Sequence, residues 1–206
     1  KLEAGLAELK ASKISDFNAF VASRVEQFRT LSEQRGLELK TALAAQVASA
    51  EIYVDREKFD KILFNLLSNA HKFTKKGSIR VTTALQDRDV LVRVEDTGQG
   101  IRDDQLPHVF ERFRQAEGSV SKDFAGTGLG LNLVREYSRL HGGDVAVASA
   151  YGQGTTFTIK LPTGKDHLSP GQIVSGRDEE FLPSQRTAAP DMDDAGAPST
   201  QGAKTN

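Results

Sequence analysis

Asn65, Asn69 and Lys72 stand four and three residues apart inside a strongly periodic apolar stretch, so they share one stripe of a helix whose broad opposite face is apolar. Two amides offer oxygen ligands to a hard cation and the ammonium offers charge to phosphate; Mg²⁺ commonly takes waters and substrate phosphates at its remaining positions. One asparagine alone would read as a solvated helix position, but two in register with a lysine favour the ligand reading. A second cluster, Val94-Glu95-Asp96-Thr97-Gly98-Gln99-Gly100-Ile101, closes an alternating strand with an acidic residue and two glycines. A buried carboxylate there needs a polar partner, and the exocyclic amine of adenine is one that fits. Flanking glycines allow a ligand to approach the backbone. Taken alone this short motif is equally a loop turn. The third cluster, Gly126-Thr127-Gly128-Leu129-Gly130-Leu131, lies where a polar stretch turns into a helix, and free N–H groups at a helix N-terminus bind anions. No Gly-Lys-Ser/Thr follows, so it is not a P-loop, and its position does not match a dinucleotide fingerprint.

The elements that carry these clusters follow from periodicity. Phe17, Phe20, Val21, Val25, Phe28 and Leu31 predict one amphipathic helix over 14–31, stopped by Gly36. Short alternating runs at 37–43 and 51–54 read as strands, and Asp55 is a fitting N-cap for a helix over 56–73. Residues 79–85 and 89–94 read as a hairpin, and 104–113 as a short helix capped by Asp103 or Asp104. The polar stretch 117–125 has little to bury and is expected to be mobile. A third long helix is expected from near Thr127 to the Gly142-Gly143 stop, followed by a hairpin of 144–149 and 155–161. Beyond Pro162 the chain is rich in Pro, Gly, Ser, Ala and Asp, which predicts a linker or disorder over 163–206.

The 206 residues suit one domain with extensions, and 38% hydrophobic content is enough for one core. A formal net charge of −1 without a long Lys/Arg block predicts no nucleic-acid or membrane surface. The lack of cysteine removes disulfides and thiolate metal sites. His71, His108, His141 and His167 have no evident ligand or carboxylate spacing and read as exposed or capping histidines.

Taken together and in order, 65–74 (Asn-Leu-Leu-Ser-Asn-Ala-His-Lys-Phe-Thr), Asp96-Thr97-Gly98-Gln99-Gly100, Phe110-Glu111-Arg112-Phe113 and the glycine run 126–131 resemble the N, G1, F and G2 boxes of a sensor histidine kinase ATP-binding domain. Gly152-Gln153-Gly154-Thr155 fits its third glycine position. The resemblance covers about residues 10–162. It implies the Bergerat fold: an α/β (α+β) two-layer sandwich with a mixed, mostly antiparallel sheet packed against three helices, and an ATP lid at 102–125. It implies that Asp96 accepts from the adenine amine, with Gly98, Gly100 and Ile101 shaping the purine slot. Asn69, assisted by Asn65, would hold Mg²⁺, Lys72 would meet phosphate oxygens and Phe73 would line the nucleotide. Thr127, Gly128, Leu129 and Gly130 would meet the phosphates, and Thr155 would make a water-mediated contact near adenine. Phe110 and Phe113 would anchor the lid. Relatives of this type place an Arg two residues after the second Phe; here Gln115 stands there and Arg114 just before, so either is a candidate for the phosphates. Hydrolysing members of the superfamily carry Glu at the position of Asn65, and an amide cannot take a proton from water, which favours transfer over hydrolysis.

The implied activity is γ-phosphoryl transfer from Mg-ATP to a histidine on a separate helical-hairpin domain, in two-component signalling with a response regulator or receiver domain. Lys1-Leu2-Glu3-Ala4-Gly5 resembles the end of that hairpin, so residues 1–13 are expected to be its end and connector, with 14–162 the catalytic domain. The tail resembles the exit toward a receiver in hybrid kinases. A cytoplasmic, monomeric unit is expected, without nucleic acid or membrane contact of its own, whether or not the parent protein is membrane-anchored. The alternatives are an ATP/ADP-responsive binding module without transfer, and a gyrase-type ATPase.

Overall fold

The computed structural model describes residues 8–112 and 130–174. Five strands form the main sheet: β2 (Leu37–Leu43), β4 (Gly77–Gln86), β5 (Asp89–Asp96), β6 (Asp144–Ala150) and β7 (Gly154–Pro162), in the order β2-β4-β5-β7-β6. β2 runs parallel to β4 and the other pairs are antiparallel, giving the mixed, mostly antiparallel sheet that was expected. A small second sheet pairs β1 (Ser12–Ile14) with β3 (Ile52–Val54).

Helices α1 (Phe17–Glu26), α4 (Arg56–Phe73) and α5 (Gly130–Leu140) share one core with the sheet; α2 (Arg29–Gln34) and α3 (Ala45–Ala48) are short. Alternation supplies the sheet side: Ile79 and Val81 on β4, Val90, Val92 and Val94 on β5, Phe157, Ile159 and Leu161 on β7. Helical spacing supplies the other side through Phe59, Ile62, Leu63, Leu66, Leu67 and Ala70 of α4. Each such large side chain contributes about 1.5–3 kcal/mol when fully buried.

Asp55 starts α4 as expected. Its carboxylate accepts from Lys58 N–H at 3.1 Å, from the Lys58 ammonium at 2.8 Å and from Lys10 N–H at 3.1 Å. Burial opposes its charge, but the Lys58 and Lys10 bonds outweigh it and hold the carboxyl below its usual value. The Asp55 N–H in turn donates to His141 Nε2 at 2.9 Å, which ties the start of α4 to the end of α5.

Four expectations need correction. The helix predicted over 14–31 is β1 followed by α1 and α2, broken near Gln27 and Phe28. Tertiary contacts override the continuous pattern: the Phe28 ring lies 5.6 Å from Phe64 and 5.1 Å from His71, while Ser32 Oγ is 2.7 Å from His71 Nε2. The helix expected over 104–113 is only a 3-10 turn at Leu106–His108 within the described residues. Pro107 removes a donor, and Asp104 pairs with Arg102 at 3.1 Å instead of capping. His71 and His141 are buried and hydrogen-bonded rather than exposed, and His108 does have a carboxylate partner, Glu111 at 2.7 Å.

The stretch after Pro162 is not all linker. Residues 163–174 fold back: Gly164 N–H donates to Glu51 O, Ala11 N–H to Gln172 O and Val174 N–H to Ala11 O, at 2.7, 2.7 and 2.9 Å. Leu168 is buried against Leu9 and Ala11. The apolar signal of this strap is short, and its partners lie at the other end of the chain. The expectations for 1–7, 113–129 and 175–206 fall outside the described residues.

Candidate active site

The site lies where the C-terminal half of α4, the end of β5 and the start of β7 converge. Asn65, Asn69, Lys72 and Phe73 are all half-buried along α4. Asn65 Nδ2 donates to Lys61 O at 2.7 Å, which commits the amide nitrogen and leaves its oxygen as the acceptor. That oxygen abuts Gly130 at the head of α5, where an added Cβ would come within 2.5 Å of it. The N-box helix and the end of the glycine run are therefore in direct contact. The Lys72 ammonium lies over the Phe73 ring at 5.2 Å.

The Asp96 end of the site is built by backbone. Phe73 O accepts from Gln99 N–H at 3.2 Å, fastening the glycine loop to the last turn of α4. Gly98 is in contact with that carbonyl, and an added Cβ would sit 2.5 Å from it and 2.7 Å from Asp96 Oδ1. Gly100 has φ +69°, and its Cβ would lie 2.1 Å from Ala150 O, so both conformation and space demand glycine. Asp96, paired with Thr155 in the sheet register, accepts from Gly98 N–H at 2.8 Å. Burial pushes its carboxyl above the usual range, opposed by the N–H groups of Gly98 and Thr155 and the hydroxyl of Thr74. A carboxylate with one oxygen held and the group short of solvent is suited to a neutral N–H donor.

Ser149, which the sequence did not single out, organises the remaining wall. Its hydroxyl donates to Gly154 O at 2.7 Å and accepts from Ile101 N–H at 2.8 Å. With its only proton committed, its 3.0 Å bond to Thr155 Oγ1 requires Thr155 to be the donor. Thr155 thus offers lone pairs as an acceptor beside Asp96. An ordinary strand alternation is the only sequence signal for Ser149.

Phe110 packs edge-on to Phe157 at 6.2 Å and under the Arg135 guanidinium at 5.7 Å, with its carbonyl accepting from Asn132 Nδ2 at 3.2 Å. These contacts fasten the segment around Phe110 to α5 and β7. Asp96, Gly98, Gly100, Ile101 and Thr155 gather at one end, and Asn65, Asn69, Lys72, Phe73 and Gly130 along the adjoining helix ends. Phe113, Arg114, Gln115, Thr127, Gly128 and Leu129 lie outside the described residues.

Among the described residues no cluster of three His, Cys, Asp or Glu could hold a metal. The oxygen donors along α4 are the Asn65 and Asn69 amides, a neutral donor set whose chemistry fits a hard cation that brings most of its own ligands. No helix among the described residues is long and apolar enough to cross a membrane.

Comparison with known proteins agrees with this geometry. Residues 54–165 match the family of histidine kinase-, DNA gyrase B- and HSP90-like ATPases. The chain is 41% identical over 142 residues to the autoinducer 2 sensor kinase/phosphatase LuxQ of Vibrio parahaemolyticus, covering 66% of this chain and 16% of LuxQ. It is 33% identical over 200 residues to a sensor-like histidine kinase of Rhizobium meliloti, covering 96% of this chain and 38% of that protein. The chain thus spans well under half the length of these relatives. The crystal structure of full-length ShkA in complex with AMPPNP superposes with a TM-score of 0.68 at 30% identity, covering 77% of this chain and 32% of ShkA. With its ordered boxes, its mixed five-stranded sheet and these matches, the chain belongs to the histidine kinase-, DNA gyrase B- and HSP90-like ATPase family, as a catalytic domain of the sensor histidine kinase type.

Proposed function

We propose that the chain binds Mg-ATP and transfers the γ-phosphoryl group to a histidine on a separate helical phosphoacceptor domain, serving a response regulator or receiver in two-component signalling. The observation that carries this reading is the half-buried Asp96 carboxylate, held by Gly98 and flanked by the Thr155 acceptor, at one end of a helix whose other site residues are Asn65 and Asn69. Asp96 would accept the adenine amine, and the tight packing of Gly98 and Gly100 would leave the slot shaped for a planar ring. Lys72 would neutralise phosphate charge, and the backbone around Gly130 would meet phosphates at the head of α5. Asn69 and Asn65 would hold Mg²⁺ through their amide oxygens; the ion, when bound, would neutralise charge on the transferring phosphoryl group.

Asn65 has no carboxylate to accept a proton from water, and its nitrogen is engaged by Lys61 O. The phosphoryl group would therefore await an external nucleophile, with positioning and charge neutralisation as the chain's contribution. Calorimetric titration with AMPPNP, with and without Mg²⁺, tests the pocket, and adding a cognate helical-hairpin domain with ATP tests transfer. Mg²⁺-dependent binding followed by phosphohistidine on the hairpin is expected. Binding without transfer would leave a nucleotide-responsive module, and steady turnover without an acceptor would point to an ATPase.

A further inference from the structure

Thr74 ends α4 beside the purine slot. Its N–H reaches back to Ala70 O at 3.0 Å, and its φ of −102° and ψ of 109° carry the chain out of the helix. The residue is 0% exposed, yet its hydroxyl has no partner at hydrogen-bonding geometry among the described residues. Buried hydroxyls are almost always bonded, because leaving one unpaired forfeits its hydration. The contrast with Thr155 is informative, since that hydroxyl is committed to Ser149.

The polar group that Thr74 faces is the Asp96 carboxylate, whose charged form it favours alongside the Gly98 and Thr155 N–H groups. Their chain neighbours tie the two segments together: Phe73 O accepts Gln99 N–H at 3.2 Å, and Gly98 packs directly on that carbonyl. Asp96 Oδ1 is occupied by Gly98 N–H at 2.8 Å. Resting on the ATP-site reading above, we propose that Thr74 is a positioning residue of the purine site: its hydroxyl closes on the Asp96 carboxylate when nucleotide binds and fixes it for the exocyclic amine. Base recognition would then belong to a Thr74–Asp96 pair rather than to Asp96 alone.

Acidity offers a readout that packing would not move. No charged side chain contributes to the displacement of Asp96. On the elements around it, Lys72 lies over Phe73, His71 turns its ring to Ser32 and Leu67 O, and Lys160 of β7 pairs with Asp89 of β5 at the far end. Loss of the Thr74 hydroxyl would let burial raise Asp96 further, so nucleotide affinity would begin to fall at a higher pH.

The test is AMPPNP binding with Mg²⁺ to the full chain, measured across the range from about pH 8 to about pH 6 for wild type, Thr74→Val and Thr74→Ser, with melting of the ligand-free proteins. Taking each variant as a ratio to wild type at each pH cancels titration of the nucleotide itself. Thr74→Val keeps the shape of the side chain and loses only its weak support of the Asp96 charge, so its melting temperature should change little. Its affinity should fall roughly three- to tenfold, the deficit should widen toward acid, and Thr74→Ser should restore both affinity and pH profile. Unchanged affinity in Thr74→Val overturns the proposal. So does a loss of affinity that tracks a loss of melting temperature and has no pH dependence. If wild type itself does not bind AMPPNP, the ATP-site reading falls first, and this inference with it.

Discussion

Replacing Asp96 by Asn changes one oxygen for an NH2 group in a site with no room to rearrange. Gly98 N–H donates to Asp96 Oδ1 at 2.8 Å, and Gly98 is itself pressed against Phe73 O. If the asparagine keeps its oxygen toward Gly98, its NH2 faces the adenine amine, donor against donor. If it flips, the Gly98 N–H loses its acceptor. Either arrangement leaves one poorly solvated polar group unpaired, at about 1–3 kcal/mol, which is about a five- to 150-fold loss of affinity. The free protein should respond differently, because burial already disfavours the Asp96 charge and the amide relieves it. Calorimetry with AMPPNP and Mg²⁺, paired with thermal melting of the ligand-free protein, should therefore show weaker binding at an equal or higher melting temperature. Affinity within twofold of wild type would refute the assignment of Asp96 to the adenine amine. Weaker binding that merely follows a lower melting temperature would refute the physical account of the pocket.

Asn69→Asp should still ligate Mg²⁺ but sets a negative charge beside the phosphates, so a triphosphate should weaken by roughly tenfold or more while adenosine is little changed; equal weakening of both would remove Asn69 from the phosphate end. Leu168→Ala should lower stability by about 2 kcal/mol, the low end for a buried leucine because its cluster is small. A urea transition reads this, nucleotide affinity should be unchanged, and an unaltered midpoint would mean that the strap does not hold on the core in solution. His141 is held below its usual value mainly by burial, with its Nε2 engaged as an acceptor by Asp55 N–H. A histidine depressed in the folded state contributes stability that is whole above its unfolded value of about 6.5 and is lost as pH falls through the folded value. The melting temperature should thus decline from about pH 7.5 to about pH 5.5, and His141→Gln should flatten that decline; a slope equal to wild type would exclude His141 as its source.

Much of the molecule was legible in the order of its residues because the relevant signals are local. Asp55 as a cap, the α4 stripe of Asn65, Asn69 and Lys72, the paired strands around Gln86–Arg88 and the glycines flanking Asp96 all depend on neighbours within a turn or a hairpin. The break at Phe28 did not show in the periodicity, since it depends on Phe64 and His71 more than thirty residues away. The fold-back of 163–174 escaped for the same reason: Leu168 and Ile173 have too little apolar pattern to predict burial until Leu9 and Ala11 are placed beside them.

At the site, sequence determined which chemical groups are present, and tertiary structure decided how each is used. The direction of the Thr155 hydrogen bond follows from Ser149 having only one proton to give, and that follows from Gly154 O and Ile101 N–H meeting it across two elements. The buried hydroxyl of Thr74, without a hydrogen-bond partner among the described residues, likewise has meaning only once the end of α4 is closed against the Asp96 loop. Residue types and helical spacing are properties of the chain, whereas hydrogen-bond direction and desolvation are set by groups distant in sequence, and only folding brings those together.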